Sequence, residues 1–160
     1  MEHPLAVSNY FISKSFETGI EVTPMKVLKL VYIAHGWSLG LDNGPLITEA
    51  VQAWKYGPVV ESVYHEFKHY GGGKITSLAY IFNVTPVTTS KENLKILDKV
   101  WEVYKDYDGL RLSTLTHQPG TPWDIAWNKM GGKKQTSVII ANDLIEEHYK
   151  QKVTKNKANA

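Results

Sequence analysis

The chain has 160 residues, 42% of them hydrophobic, which is enough for one globular domain with its own core. The formal charge is only +2 and Arg111 is the single arginine, so nothing in the composition asks for a polyanion partner or for a specific nucleic-acid reader. Cysteine is absent, which excludes disulfides, thiolate metal sites and cysteine nucleophiles; no long apolar run or signal peptide is present, so a cytoplasmic location is expected.

Residues 4–16 read as a first helix, with Val7, Tyr10 and Phe11 inward and Gly19 after its end. Thr23 caps the next helix and Pro24 takes the first position, where a missing N–H costs nothing. Val27, Leu30, Val31, Ala34, Trp37 and Leu41 recur at helical spacing, and Leu28, Tyr32, His35 and Leu39 form a second stripe beside them. Two adjacent apolar stripes predict a helix surrounded by protein, since a surface helix needs only one. Gly36 and Gly40 lower helix propensity; close approach by another element would offset that, and Gly40 also suits a helix end.

A turn at Asp42-Asn43-Gly44-Pro45 leads to an extended stretch, 49–56, with Trp54 and Tyr56 on one face and Val51 and Ala53 on the other. The chain then turns at Tyr56-Gly57-Pro58. Gly57 offers a backbone conformation that other residues avoid, and Pro58 fits the first turn of a helix with Val60, Val63, Tyr64, Phe67 and Tyr70 on its apolar face. Residues 75–87, rich in β-branched and aromatic side chains, are expected to pair as a strand with 49–56. Thr89 and Glu92 make a capping box for a helix burying Leu94, Leu97, Trp101 and Tyr104, and Asp108 caps a short helix over 109–116. Thr121 caps another, with Pro122 first and Asp124 completing a capping box. Asn142 caps a final helix burying Leu144, Ile145, His148 and Tyr149; the polar, lysine-rich residues 151–160 are expected to be disordered. The pattern predicts a mainly α, compact single-domain helical fold with a small β element.

His65-Glu66-Phe67-Lys68-His69 fits the zinc pattern H-E-x-x-H literally. Advancing about 100° per residue from Val60 places both imidazoles opposite the apolar face, in water, whereas catalytic zinc needs a largely dry cavity and a third ligand. Gly71-Gly72-Gly73-Lys74 lacks the earlier glycine and the following Ser or Thr of a phosphate loop. His117 sits beside the Pro119–Trp123 corner with no serine motif or paired carboxylate, which favours an imidazole that ties the loop by hydrogen bonds over a base. Trp54, Tyr56 and Trp123 adjoin turns, where rings serve recognition as well as packing. Neither a catalytic residue, a metal site nor a cofactor is expected.

Three stretches together, KLVYIAHGWSLGL, AWKYGPVVESVYHEFKHYG and LTHQPGTPWDIAW, resemble the Panacea, or SocA-like, antitoxin domain family, also described as GepA-type phage-associated protein. The resemblance covers nearly the whole chain and implies one domain over residues 1–150 with a tail after it. It implies a compact helical domain that neutralises a toxin, encoded nearby, by direct contact. By the same resemblance, Trp54, Tyr56, Gly57, Pro58 and Val59 shape one corner and His117, Pro122 and Trp123 another, each residue being scaffold or contact surface. Some members carry a helix-turn-helix segment; this chain is expected to leave no room for one, which argues against DNA binding. Two rival functions stay open: an adaptor that delivers a bound partner to a protease, using the lysine-rich tail as a handle, and the zinc hydrolase.

Overall fold

The computed structural model describes residues 1–81 and 90–158. Helix α2 (Pro24–Gly40) runs through the centre, and α1 (Pro4–Thr18), α4 (Lys91–Tyr104), α5 (Gly109–Thr116) and α8 (Asn142–Ala158) pack around it. The second predicted stripe, Leu28, Tyr32, His35 and Leu39, is buried, as are Val27, Leu30, Val31 and Ala34 of the first, whose Trp37 is half-buried. Leu41, just past the helix end, is exposed. Thr23 caps as predicted, its hydroxyl oxygen accepting from the Lys26 N–H at 3.3 Å. The two glycines of α2 face α8. A Cβ on Gly36 would fall 2.2 Å from the Tyr149 ring, and one on Gly40 would fall 2.6 Å from the Tyr149 Cβ. Gly40 therefore both ends the helix and admits its neighbour.

His35 is a satisfied core histidine. Its Nε2 lies 2.9 Å from Asn142 Oδ1 and its Nδ1 accepts from the Leu46 N–H at 3.2 Å. Burial lowers its pKa, the bond to Asn142 opposing, so the ring is held neutral. Asn142 is the first residue of α8, and its side chain serves this contact rather than the predicted cap.

A three-stranded antiparallel sheet has the order β2-β1-β3, with β1 at Val51–Trp54, β2 at Gly57–Val59 and β3 at Val138–Ile140. Two sequence expectations change here. Pro58 lies in β2 and not in a helix; β2 is an edge strand, where a proline's missing N–H leaves no ladder bond unmade. Helix α3 starts later, at Glu61–Phe67. The second partner of β1 is β3, not the 75–87 stretch: residues 75–81 form no strand, and the rest of that stretch lies outside the described residues. Residues 75–79 are instead anchored by single contacts, the Ile75 N–H to Val22 O and buried Asn9 bonded to both backbone groups of Ala79.

Ser90, not Thr89, caps α4, with its hydroxyl accepting from the Asn93 N–H; Thr89 lies outside the described residues. Asp108 and Thr121 cap as expected. Asp124 reaches back to the Gly120 N–H, one residue short of a capping box. Helix α6 (Pro122–Asp124) continues as a π-helical turn, Ile125–Lys129, and α7 (Gly132–Gln135) leads into β3. The lysine-rich segment after Gln151 differs from expectation: α8 carries it in helix to Ala158. A helix docked by its first half propagates at little cost through good formers such as Lys and Gln, so polar composition alone does not stop it. Among the described residues no helix is long and apolar enough to cross a membrane.

Candidate functional site

The two motif blocks that lie far apart in sequence meet at one joint. Strands β1 and β2 form a hairpin with Trp54 opposite Gly57, leaving only Lys55 and Tyr56 at the tip. Gly57 has φ +117°, which other residues avoid. Three alternate carbonyls along this hairpin are each held by a side chain from a different helix. Trp123 of α6 donates its indole N–H to Trp54 O at 2.6 Å. Ser113 of α5 donates to Tyr56 O at 2.8 Å, and Lys29 of α2 donates to Pro58 O at 2.9 Å. Each such bond stabilises by about 1 kcal/mol, and losing the donor would strand a half-buried carbonyl. The hairpin is thus fixed in position by three separate helices.

His117 completes the joint. Its ring stands edge-on to Trp123 with centroids 5.2 Å apart, and its Nδ1 lies 3.5 Å from Ser113 Oγ. Trp123 stacks in turn on Trp127 at 5.8 Å. The sequence-predicted residues divide by burial. Gly57, Pro58, Val59, Pro122 and Trp123 are buried, with Trp123 only 7% exposed. His117 and Trp54 are half-buried, and Tyr56 at the tip is 63% exposed.

Beside the tip runs a groove of about 540 Å³, between the hairpin, α3 and the first two turns of α2. Trp54 and Tyr64 meet edge to face across it, centroids 5.0 Å apart. The Trp54 indole N–H donates to Gln52 Oε1 at 2.9 Å, which fixes the ring. Lys55 holds its ammonium over the Tyr56 ring at 5.5 Å and Lys68 over the Tyr64 ring at 5.9 Å. Lys29 contributes to the floor. It is 2% exposed, and burial lowers its pKa to about 7. Sequence reading missed Lys29. The signal was available: a lysine flanked by Leu28 and Leu30 in a helix apolar on two stripes must find a carbonyl inside the protein.

The H-E-x-x-H residues stand apart from this joint. His65 bonds Glu61 at 3.3 Å on an exposed face, and α3 ends at Phe67, so His69 belongs to the following 3-10 turn, Lys68–Tyr70. Among the described residues no group of three His, Asp or Glu is placed to hold a metal ion. What the joint presents outward is aromatic surface and lysine charge on a backbone that cannot shift easily.

The family model described as "Antitoxin SocA-like, Panacea domain" matches residues 27–124, a span that begins in α2 and takes in the hairpin and both halves of the joint. The antitoxin SocA of Caulobacter vibrioides is 26% identical over 157 residues, covering 93% of this chain and 84% of its own length. No solved structure matches the chain. With more than half of its residues matched by that model, the chain belongs to the SocA-like antitoxin, Panacea domain, family.

Proposed function

We propose that the chain is an antitoxin that neutralises a toxin by stoichiometric binding in the cytoplasm, with the hairpin tip as part of the contact surface. The observation that supports this reading most is the joint itself. Three helices hold a two-residue tip that exposes Tyr56, with half-buried Trp54 beside it. Rings of this kind supply large contact area at low entropy cost when their backbone is already fixed. On this reading Tyr56 and Trp54 touch the toxin, His117 borders the contact, and Gly57, Pro58, Val59, Pro122 and Trp123 are scaffold. The test is co-expression of the neighbouring gene product in bacteria with and without this chain, followed by co-purification. Growth rescue with a stable complex supports neutralisation by binding. Rescue without a complex, while the toxin level falls, would replace it with the protease-adaptor reading.

A further inference from the structure

The groove beside the hairpin tip carries charge of one sign. Lys55 and Lys68 line its rim, whereas buried Lys29 holds its proton weakly and donates to Pro58 O, and no carboxylate is among the described lining residues. Neither Lys55 nor Lys68 has an acidic partner among the described residues; each is held over an aromatic ring of the groove wall, and Lys68 also reaches His65 Nδ1 at 3.4 Å. Glu61, at the start of α3, is occupied by Gln52 and His65. The walls between these cations are apolar and aromatic: Trp54, Tyr56, Tyr64, Leu28 and Val59. Such a surface combines a hydrophobic seat, which supplies affinity, with cations that select the sign of the occupant.

We propose that this groove takes an acidic segment of the toxin, one that lays an aromatic or aliphatic side chain against Trp54, Tyr56 and Tyr64 and sets carboxylates against Lys55 and Lys68. The inference rests on the antitoxin reading and names the chemistry of its partner. A basic segment would bring like charges together over a surface with no acid to receive them. A nucleic acid is the other polyanion with flat rings, and it fits less well. Two rim lysines form no track along which a backbone could run, and the single arginine stacks on Tyr107 at 3.7 Å, outside the groove lining.

A random dodecapeptide display library panned against the purified full chain tests the proposal without knowledge of the toxin. The enriched peptides are expected to be acidic around an aromatic or aliphatic residue, and to bind more weakly as salt screens the rim. They are expected to lose about tenfold or more in affinity to a Lys55→Glu/Lys68→Glu variant, which should itself enrich basic peptides. Both lysines are exposed, and an unchanged urea midpoint checks the fold; Lys55→Gln/Lys68→Gln gives the same direction with a milder change. No enrichment, neutral or basic peptides on the wild type, or acidic peptides that ignore both variants would overturn the proposal. Tighter binding of a labelled oligothymidylate than of any selected peptide would overturn it in favour of single-stranded nucleic acid. Rescue and complex formation separate the two levels. If the wild type and the charge-reversed variant bind the toxin equally, the groove inference fails and the antitoxin reading stands. If the wild type binds no neighbouring gene product, that reading fails first.

Discussion

The contact between α2 and α8 rests on two glycines that meet different parts of one residue, and this gives a sharp prediction. A Cβ on Gly36 would overlap the Tyr149 ring, at 2.2 to 2.5 Å from three of its atoms. A Cβ on Gly40 would instead meet Tyr149 Cβ at 2.6 Å and its backbone carbonyl carbon at 2.9 Å. Gly→Ala inside an unobstructed helix stabilises by about 1 kcal/mol, whereas overpacking of this kind costs about 1–3 kcal/mol. Each single variant is therefore expected to lose up to about 2 kcal/mol in urea unfolding, and to gain nothing. Tyr149→Ala removes the ring, at a cost of about 3–5 kcal/mol for a buried aromatic, but keeps the Cβ and the backbone. In that background Gly36→Ala is expected to become neutral or to stabilise by up to about 1 kcal/mol, and Gly40→Ala to remain destabilising. The two cycles thus give couplings of unlike size from neighbouring turns of one helix. Gly36→Ala that stabilises the wild type, or equal relief of both variants by Tyr149→Ala, would refute the account of how α8 docks.

The joint and the buried lysine give three further predictions. Trp123→Phe deletes the indole N–H that holds Trp54 O and is expected to cost about 1–3 kcal/mol in urea unfolding; an unchanged midpoint would remove Trp123 from the joint. Gly57→Ala must adopt φ +117° with its Cβ 2.9 Å from Lys29 Nζ, so a loss of about 2 kcal/mol or more is expected, and a stabilised variant would contradict the hairpin geometry. Lys29 holds its proton more weakly when folded, because burial lowers its pKa to about 7 from 10.5. Between those values the unfolded chain binds the extra proton, so stability rises with pH, by at most about 1.4 kcal/mol per unit from pH 7 to 9. Lys29→Met is expected to flatten that slope, and a slope that survives the substitution would assign it to other groups.

The parts of this fold that were legible in the sequence are those fixed by local chemistry. Helix α2 announced its central place through two apolar stripes, and the caps at Thr23, Asp108 and Thr121 were readable because a cap needs only a side chain and an N–H two or three residues on. What failed was non-local. Strand β3 has three residues and meets β1 across more than eighty positions of sequence, so no pattern within either strand names the other. Pro58 suits a helix start and an edge strand equally, and only the sheet order decides between them. The family resemblance named the corner residues as two separate corners, and neither their meeting at one joint nor their division into buried and exposed was readable from it. That division depends on helices α2, α5 and α6 arriving at three carbonyls of one hairpin, and backbone acceptors leave no trace in the sequence.

The most direct test of the central claim separates binding from folding at Tyr56. Its ring is exposed, so Tyr56→Ala is expected to leave the urea midpoint within about 0.5 kcal/mol of the wild type. If the hairpin tip is the contact surface for a neutralised toxin, the same substitution weakens the purified complex by about 2 kcal/mol, roughly thirtyfold, and weakens growth rescue with it. A variant that binds the toxin with wild-type affinity would contradict the claim that this tip is where the antitoxin makes its contact.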